Sequence, residues 1–147
     1  MIHFSAELIR DQIACEGKYE LIQEMIGWLT IEGYKEEKLK NIEKAVIERE
    51  MIMSTSLGFG IALPHAKTAE VQKTHILVAR LLNPIDFEAL DGVGVDIVFL
   101  VVSPVEDHKN HIQTISTISR FLNTEGKIDQ IKHLNPFNSL AAVWEEK

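Results

Sequence analysis

The chain has 147 residues, 46% of them apolar and 25% charged, with a formal charge of −7. That length fits a single domain over residues 1–147 with one core, and the acidic balance argues against nucleic acid, which requires a basic face. No apolar run reaches the roughly 18–20 residues that cross a bilayer, the start MIHFSAELIRDQ lacks the basic head of a signal peptide, and Cys15 is alone, so the expected setting is reducing and cytoplasmic, with no internal disulfide.

In chain order, Tyr19 to Leu29 carries Leu21, Ile22, Met25, Ile26 and Leu29 at helical spacing, and Gly33 stops it. Lys35 to Glu50 repeats the pattern with Leu39, Ile42, Val46 and Ile47, and its mixed-charge start reads as a solvated helix face. Ile61-Ala62-Leu63 reads as a short buried strand that Pro64 ends, because proline brings no N–H to a ladder. Ile76 to Leu82 predicts a strand closed by Asn83-Pro84, and Asp91-Gly92 with Gly94 predicts a turn. Val95 to Val102 is short and nearly all apolar, as suits a strand covered on both faces. Ser103-Pro104 opens a segment that becomes a helix with Ile112, Ile115, Ile118, Ser119 and Leu122 on one stripe. Gly126 breaks that helix, and two short helical pieces finish the chain. Helices flanking short strands predict an α/β (α+β) fold with a mixed sheet.

The stretch with most chemical content is Glu50 to Ala66, EMIMSTSLGFGIALPHA. Glycines at 58 and 60 allow close backbone approach, and the strand and proline then leave His65 at the lip of a strand with small Ala66 beside it. An exposed nucleophile fits such a place. This stretch resembles the active-site signature of the fructose/mannitol-type IIA proteins of the phosphoenolpyruvate-dependent sugar phosphotransferase system. The matching elements are Glu50, Leu57-Gly58 and Ile61-Ala62-Leu63-Pro64-His65-Ala66, while Ser56 stands where the family often has glycine. The run Asn83 to Gly92 and the His111-Ile112-Gln113 segment extend the resemblance, which covers about Phe4 to Phe137. It implies a small mixed β-sheet covered by helices on both sides and a phosphorylated His65, with an arginine at Arg49 and a histidine at His111 beside it.

The residue types suit that chemistry. Histidine has a pKa of about 6.5, so a neutral imidazole is available near pH 7 to attack phosphorus. Arg49 carries a permanent, forked cation, and His111 lies near the start of the helix after the apolar strand, where N–H groups favour anions. Each has a plainer reading: a loop histidine, a charge at a helix C-terminus and a half-buried polar residue. Ser54, Thr55 and Ser56 offer further hydroxyls near the site. The resemblance implies a phosphoryl carrier without metal or organic cofactor. It would be loaded by a phosphorylated HPr-type protein and unloaded by a IIB component, meeting the membrane permease only through IIB/IIC. An apolar rim near Leu57, Phe59 and Ile61 is the expected docking surface. Two other readings compete. One is the family's nitrogen-type branch, which binds target proteins according to the phosphorylation state of the histidine. The other is a metal-assisted hydrolase on His65, His108 and His111, for which no metal-binding motif is present. His3, His75 and His133 read as structural or exposed, Cys15 as a core thiol, and Trp28 and Trp144 as packing residues.

Overall fold

The computed structural model describes residues 2–145. Its centre is strand β6 (Val95–Pro104), which is buried along almost its whole length. Alternation sends Val98, Leu100 and Val102 into one apolar cluster and Ile97, Phe99 and Val101 into another. A strand with two buried faces needs helices on both, and the rest of the chain supplies them. Each such side chain removed from water contributes about 1.5–3 kcal/mol.

On one side of β6 runs β5 (His75–Ile85), antiparallel to it, followed by β1 (Ile9–Ile13), parallel to β5. On the other side two short strands lie end to end along β6, both parallel to it: β3 (Ile61–Ala62) pairs with Ile97 and Val98, and β4 (His65–Thr68) with Val101 to Pro104. Strand β2 (Ser56–Gly58) closes a hairpin with β3, completing a mixed sheet of six strands. Helices α1 (Lys18–Gly27) and α2 (Glu36–Ile52) cover the first cluster. Helix α3 (His108–Leu122), with the shorter α4 (Lys127–Lys132) and α5 (Leu140–Glu145), lies on the second. The expected mixed sheet between helical layers is what forms.

The first helical run ends at Gly33, as the sequence predicts, whereas α3 already ends at Leu122 and Gly126 opens α4. After α1 a 3₁₀ turn over Trp28–Glu32 stops at Gly33, whose φ of +93° costs a glycine little. Trp28 is buried and Trp144 stacks on Phe121. Three expectations need correction, and one strand was not foreseen. Strand β1 does not stand out in the sequence. Pro64 interrupts the pairing along β6 without ending it: its carbonyl accepts from Val101 N at 3.0 Å and the ladder resumes at His65. Asn83-Pro84 does not close β5, because the register slips between Arg80 and Ile85 and the proline falls where no ladder N–H is required. Ile112 is 52% exposed, and the buried face of α3 is His111, Thr114, Ile118 and Leu122.

Candidate active site

Strand β4 is an edge strand, bonded to β6 on one side only. Its alternation turns Ala66 and Thr68 inward and leaves His65 and Lys67 on the face toward α3. The last turn of α2 and the first turn of α3 meet over this edge and enclose a cleft of about 420 Å³ lined by Arg49, Ile52, His65, Lys67, His108 and His111, among others. The three residues singled out from the sequence therefore come together, one from each of α2, β4 and α3.

His65 is half-buried and its Nδ1 lies 2.9 Å from the carbonyl oxygen of Leu63. A carbonyl only accepts, so Nδ1 carries the hydrogen and donates it, and the lone pair is left on Nε2. Burial lowers the pKa of His65. The Leu63 contact opposes that, Arg49 lowers it further and Glu50 pulls it up. The net effect favours the neutral ring.

His111 is 4% exposed, with its ring centroid 5.6 Å from that of His65. A chain of polar groups sets its tautomer. Asn110 Nδ2 donates to Thr74 Oγ1 at 3.0 Å, and Thr74 Oγ1 donates to Ser103 Oγ at 3.1 Å. The fully buried Ser103 hydroxyl then has its own hydrogen to place, and His111 Nδ1 lies 2.8 Å away. With Nδ1 accepting, the His111 hydrogen sits on Nε2. Burial, then repulsion from His65, Lys67 and His108, pushes the pKa of His111 down to about 4, so it is a neutral donor at pH 7. Ser103 was read from sequence only as the opening of a helical segment. A serine at the end of an apolar strand run was the available signal.

Arg49 donates from Nη1 to Met53 O at 3.0 Å, which pins the guanidinium at the end of α2 and uses one of its five N–H groups. The neighbouring Glu50 is buried and organises the turn that follows. It accepts from Thr55 N at 3.1 Å, from Thr55 Oγ1 at 2.5 Å and from Lys18 Nζ at 3.1 Å. Lys18 was not singled out from the sequence, yet its 5% exposed side chain also reaches Glu88 at 3.3 Å. The hydroxyls of residues 54–56 serve this turn: Ser54 bonds Phe87 O, Thr55 bonds Glu50, and Ser56 bonds Ile61 O.

The glycines do not open the site. Gly58, Phe59 and Gly60 all have positive φ and form the β2–β3 hairpin, held by a hydrogen bond from Phe59 N to Asp91. A Cβ on Gly60 would lie 3.0 Å from Lys132 Nζ. The Gly60 carbonyl accepts from Ile97 N whereas His65 pairs with Val101. Four residues of strand, about 13 Å, therefore separate the hairpin from His65. Ile61 is fully buried, so the expected rim of Leu57, Phe59 and Ile61 is not the border of this cleft. The exposed apolar side chains that do line this cleft are Ile52, at the end of α2, and Ile112 on α3.

Among the described residues no group of three or more His, Cys, Asp or Glu is placed to hold a metal ion. His108 Nδ1 contacts Lys67 Nζ at 2.6 Å and His111 Nδ1 is taken by Ser103. His75 is buried against Tyr34, His133 is bonded to its own helix and His3 is exposed. Cys15 is half-buried on the first cluster, where burial raises its pKa. No helix of the described residues is long and apolar enough to cross a membrane.

The family described as phosphoenolpyruvate-dependent sugar phosphotransferase system, EIIA 2, matches residues 2–147. A nitrogen regulatory protein of Bradyrhizobium diazoefficiens is 32% identical over 139 residues, covering 94% of this chain and 87% of the relative. A fructose-specific EIIA component of Haloferax volcanii is 40% identical over 81 residues, 55% of this chain; the match spans only 53% of that relative. Among solved structures, nitrogen regulatory protein IIA-Ntr of Neisseria meningitidis superposes with a TM-score of 0.86 at 21% identity, covering 96% of this chain and 95% of that one. The IIA mannitol enzyme of Escherichia coli, in its complex with phosphorylated enzyme IIB, gives 0.78 at 23% identity, covering 97% and 96%.

Proposed function

The chain belongs to the EIIA 2 family of the phosphoenolpyruvate-dependent sugar phosphotransferase system, and on that premise we propose that it is a cytoplasmic phosphoryl carrier, loaded on His65 Nε2 by a phosphorylated HPr-type protein and unloaded by a IIB component during sugar uptake. The observation that carries this reading is the His65 ring itself. Its Nδ1–H is spent on Leu63 O, and its free Nε2 lies in a cleft with Arg49 and His111.

In the loading step the Nε2 lone pair attacks phosphorus in line. The new N–P bond forms as the carrier's P–N bond breaks, and that electron pair returns to the carrier's imidazole, which can take a proton from water. No proton has to leave His65, because Nε2 holds none. The phosphorylated ring keeps Nδ1–H and becomes cationic, and the Leu63 carbonyl stabilises that charge. Negative charge on the moving oxygens meets the Arg49 guanidinium and the His111 Nε2–H. Such positioning and charge stabilisation make up most of phosphoryl-transfer catalysis. Arg49, His111 and backbone N–H groups supply the positive field without metal or organic cofactor. The docked partner would rest on the apolar side chains at the end of α2, and the chain would reach the permease only through IIB/IIC.

Incubation with phosphoenolpyruvate, enzyme I and carrier should add one acid-labile phosphoryl group to the wild type by intact mass and none to His65→Gln. Label retained in that variant would refute the site. The match to a nitrogen regulatory protein over nearly the whole chain favours a second reading, in which phosphorylated His65 switches binding to regulatory protein targets. A panel of IIB components separates the two, because a sugar carrier passes its label to at least one of them and a regulator to none.

A further inference from the structure

Two pairs of side chains bridge β4 and α3. The first is His65 with His111, whose rings are 5.6 Å apart. The second is Lys67 with His108, at 2.6 Å between Nζ and Nδ1. They repeat because residues two apart share a strand face, and residues three apart share a helix face. Strand geometry puts Lys67 about 7 Å along from His65, a gap that a lysine side chain spans. Both residues line the same cleft.

Lys67 is a cation without an anion. Among the described residues no carboxylate lies within ion-pair distance of it, and its one hydrogen bond goes to the neutral side of an imidazole. In a chain of formal charge −7 the cleft walls include Arg49, Lys67 and three histidines against one acid, Glu48, which is paired with Lys44 at 3.9 Å. An ammonium held only by a neutral ring nitrogen gives it up readily to a doubly charged phosphoryl group, since hydrogen bonds between ionised partners are about twice as strong.

We propose that Lys67 is a phosphate-binding residue of this site, resting on His108 in the unphosphorylated protein and swinging to the phosphoryl oxygens once they are on His65. This deepens the carrier reading and rests on it. No covalent bond changes at Lys67: it exchanges a hydrogen bond to His108 for one to phosphate, and His108 Nδ1 passes to solvent.

The test uses phosphoramidate, a small donor that needs no docking partner. Its phosphorus is attacked by the His65 nitrogen, and ammonia leaves with a proton from water. Labelling of wild type, Lys67→Gln, Lys67→Arg and His65→Gln is followed by phosphorus-31 NMR, with nitrogen-15 spectra of the His108 ring alongside. Lys67→Gln should be labelled about tenfold more slowly than wild type, Lys67→Arg within about threefold of it, and the His108 Nδ1 signal should move on labelling. Lys67→Gln reacting within about twofold of wild type overturns the proposal, as does an unmoved His108 signal or an equal loss in Lys67→Arg. Failure of His65 to label in the wild type, from phosphoramidate and from the protein carrier alike, would instead remove the carrier reading itself. Lys67 is exposed, so wild type, Lys67→Gln and Lys67→Arg should share one urea midpoint.

Discussion

Ser103→Ala tests whether the orientation of His111 is set from behind. The hydroxyl is fully buried and its contact with Nδ1 is 2.8 Å. A neutral hydrogen bond of this kind contributes about 0.5–1.5 kcal/mol net, which is roughly a two- to tenfold bias in the ratio of the two His111 tautomers. Removing it lets part of the population carry the hydrogen on Nδ1, where it cannot reach the cleft. The phosphoryl-transfer rate should then fall by about two- to tenfold at saturating carrier, with little change in KM. That is far less than the 10²–10³ typical of deleting a donor outright. Stability should fall by about 1–3 kcal/mol, because a buried ring nitrogen loses its partner. Rapid-quench single turnovers from phosphorylated carrier give the rate, and nitrogen-15 spectra of the labelled ring give the tautomer. An unchanged tautomer ratio, or a changed ratio with an unchanged rate, would refute the argument.

Acid should destabilise the fold through its histidines. His111 falls from 6.5 to about 4 on folding, chiefly through burial, and His65 and His75 are lowered for the same leading reason. A depressed folded-state pKa means that the unfolded chain binds more protons between the two values. The stabilisation is therefore complete above 6.5 and lost as pH falls toward 4. His111 contributes up to about 3 kcal/mol of that loss, and a urea midpoint that does not drop between pH 7 and pH 4.5 would contradict it. Lys18→Met leaves Glu50 buried without its ion pair and should cost about 3–5 kcal/mol in urea unfolding, with part recovered by adding Glu50→Gln. A loss below about 1 kcal/mol would show that the buried pair is not holding the turn after α2.

The core was legible because β6 is apolar enough to require cover on both faces, and α1 shows a full apolar stripe. The elements that escaped lack that signal. Strand β1 reads IRDQI, with Asp11 and Gln12 exposed, and its pairing is decided by β5. Strand β4 reads HAKT, with three of its four residues polar and two of those lining the cleft. On α3 the apolar residues alone put the stripe through Ile112. The true buried face begins with His111 and Thr114, polar residues occupying positions where a purely structural helix would have apolar ones. His65, Arg49 and His111 were found through their motif and its resemblance. Thr74 and Lys67 were not, because hydrogen-bond partners 29 and 41 residues away leave no local pattern, and Ser103, eight residues before His111, was marked only by its place at the end of the apolar run.

The placement of the cleft reconciles two demands that conflict in water. A nucleophilic imidazole must stay unprotonated, while the group it receives needs positive charge around it. Here the same features meet both. The Arg49 guanidinium disfavours a proton on His65 and, in the proposed reaction, attracts the phosphoryl oxygens. Burial against the sheet keeps His111 neutral, so that it can donate a hydrogen bond without adding a charge that would trap the product. The Leu63 carbonyl acts in the opposite sense, and it acts at Nδ1, where the ring gains positive charge only after the N–P bond has formed. In the proposed reaction a cation thus shares the cleft with the nitrogen that would react and an acceptor holds the nitrogen that would not, a polarity across one ring that would favour loading and leave the bond labile enough to pass on.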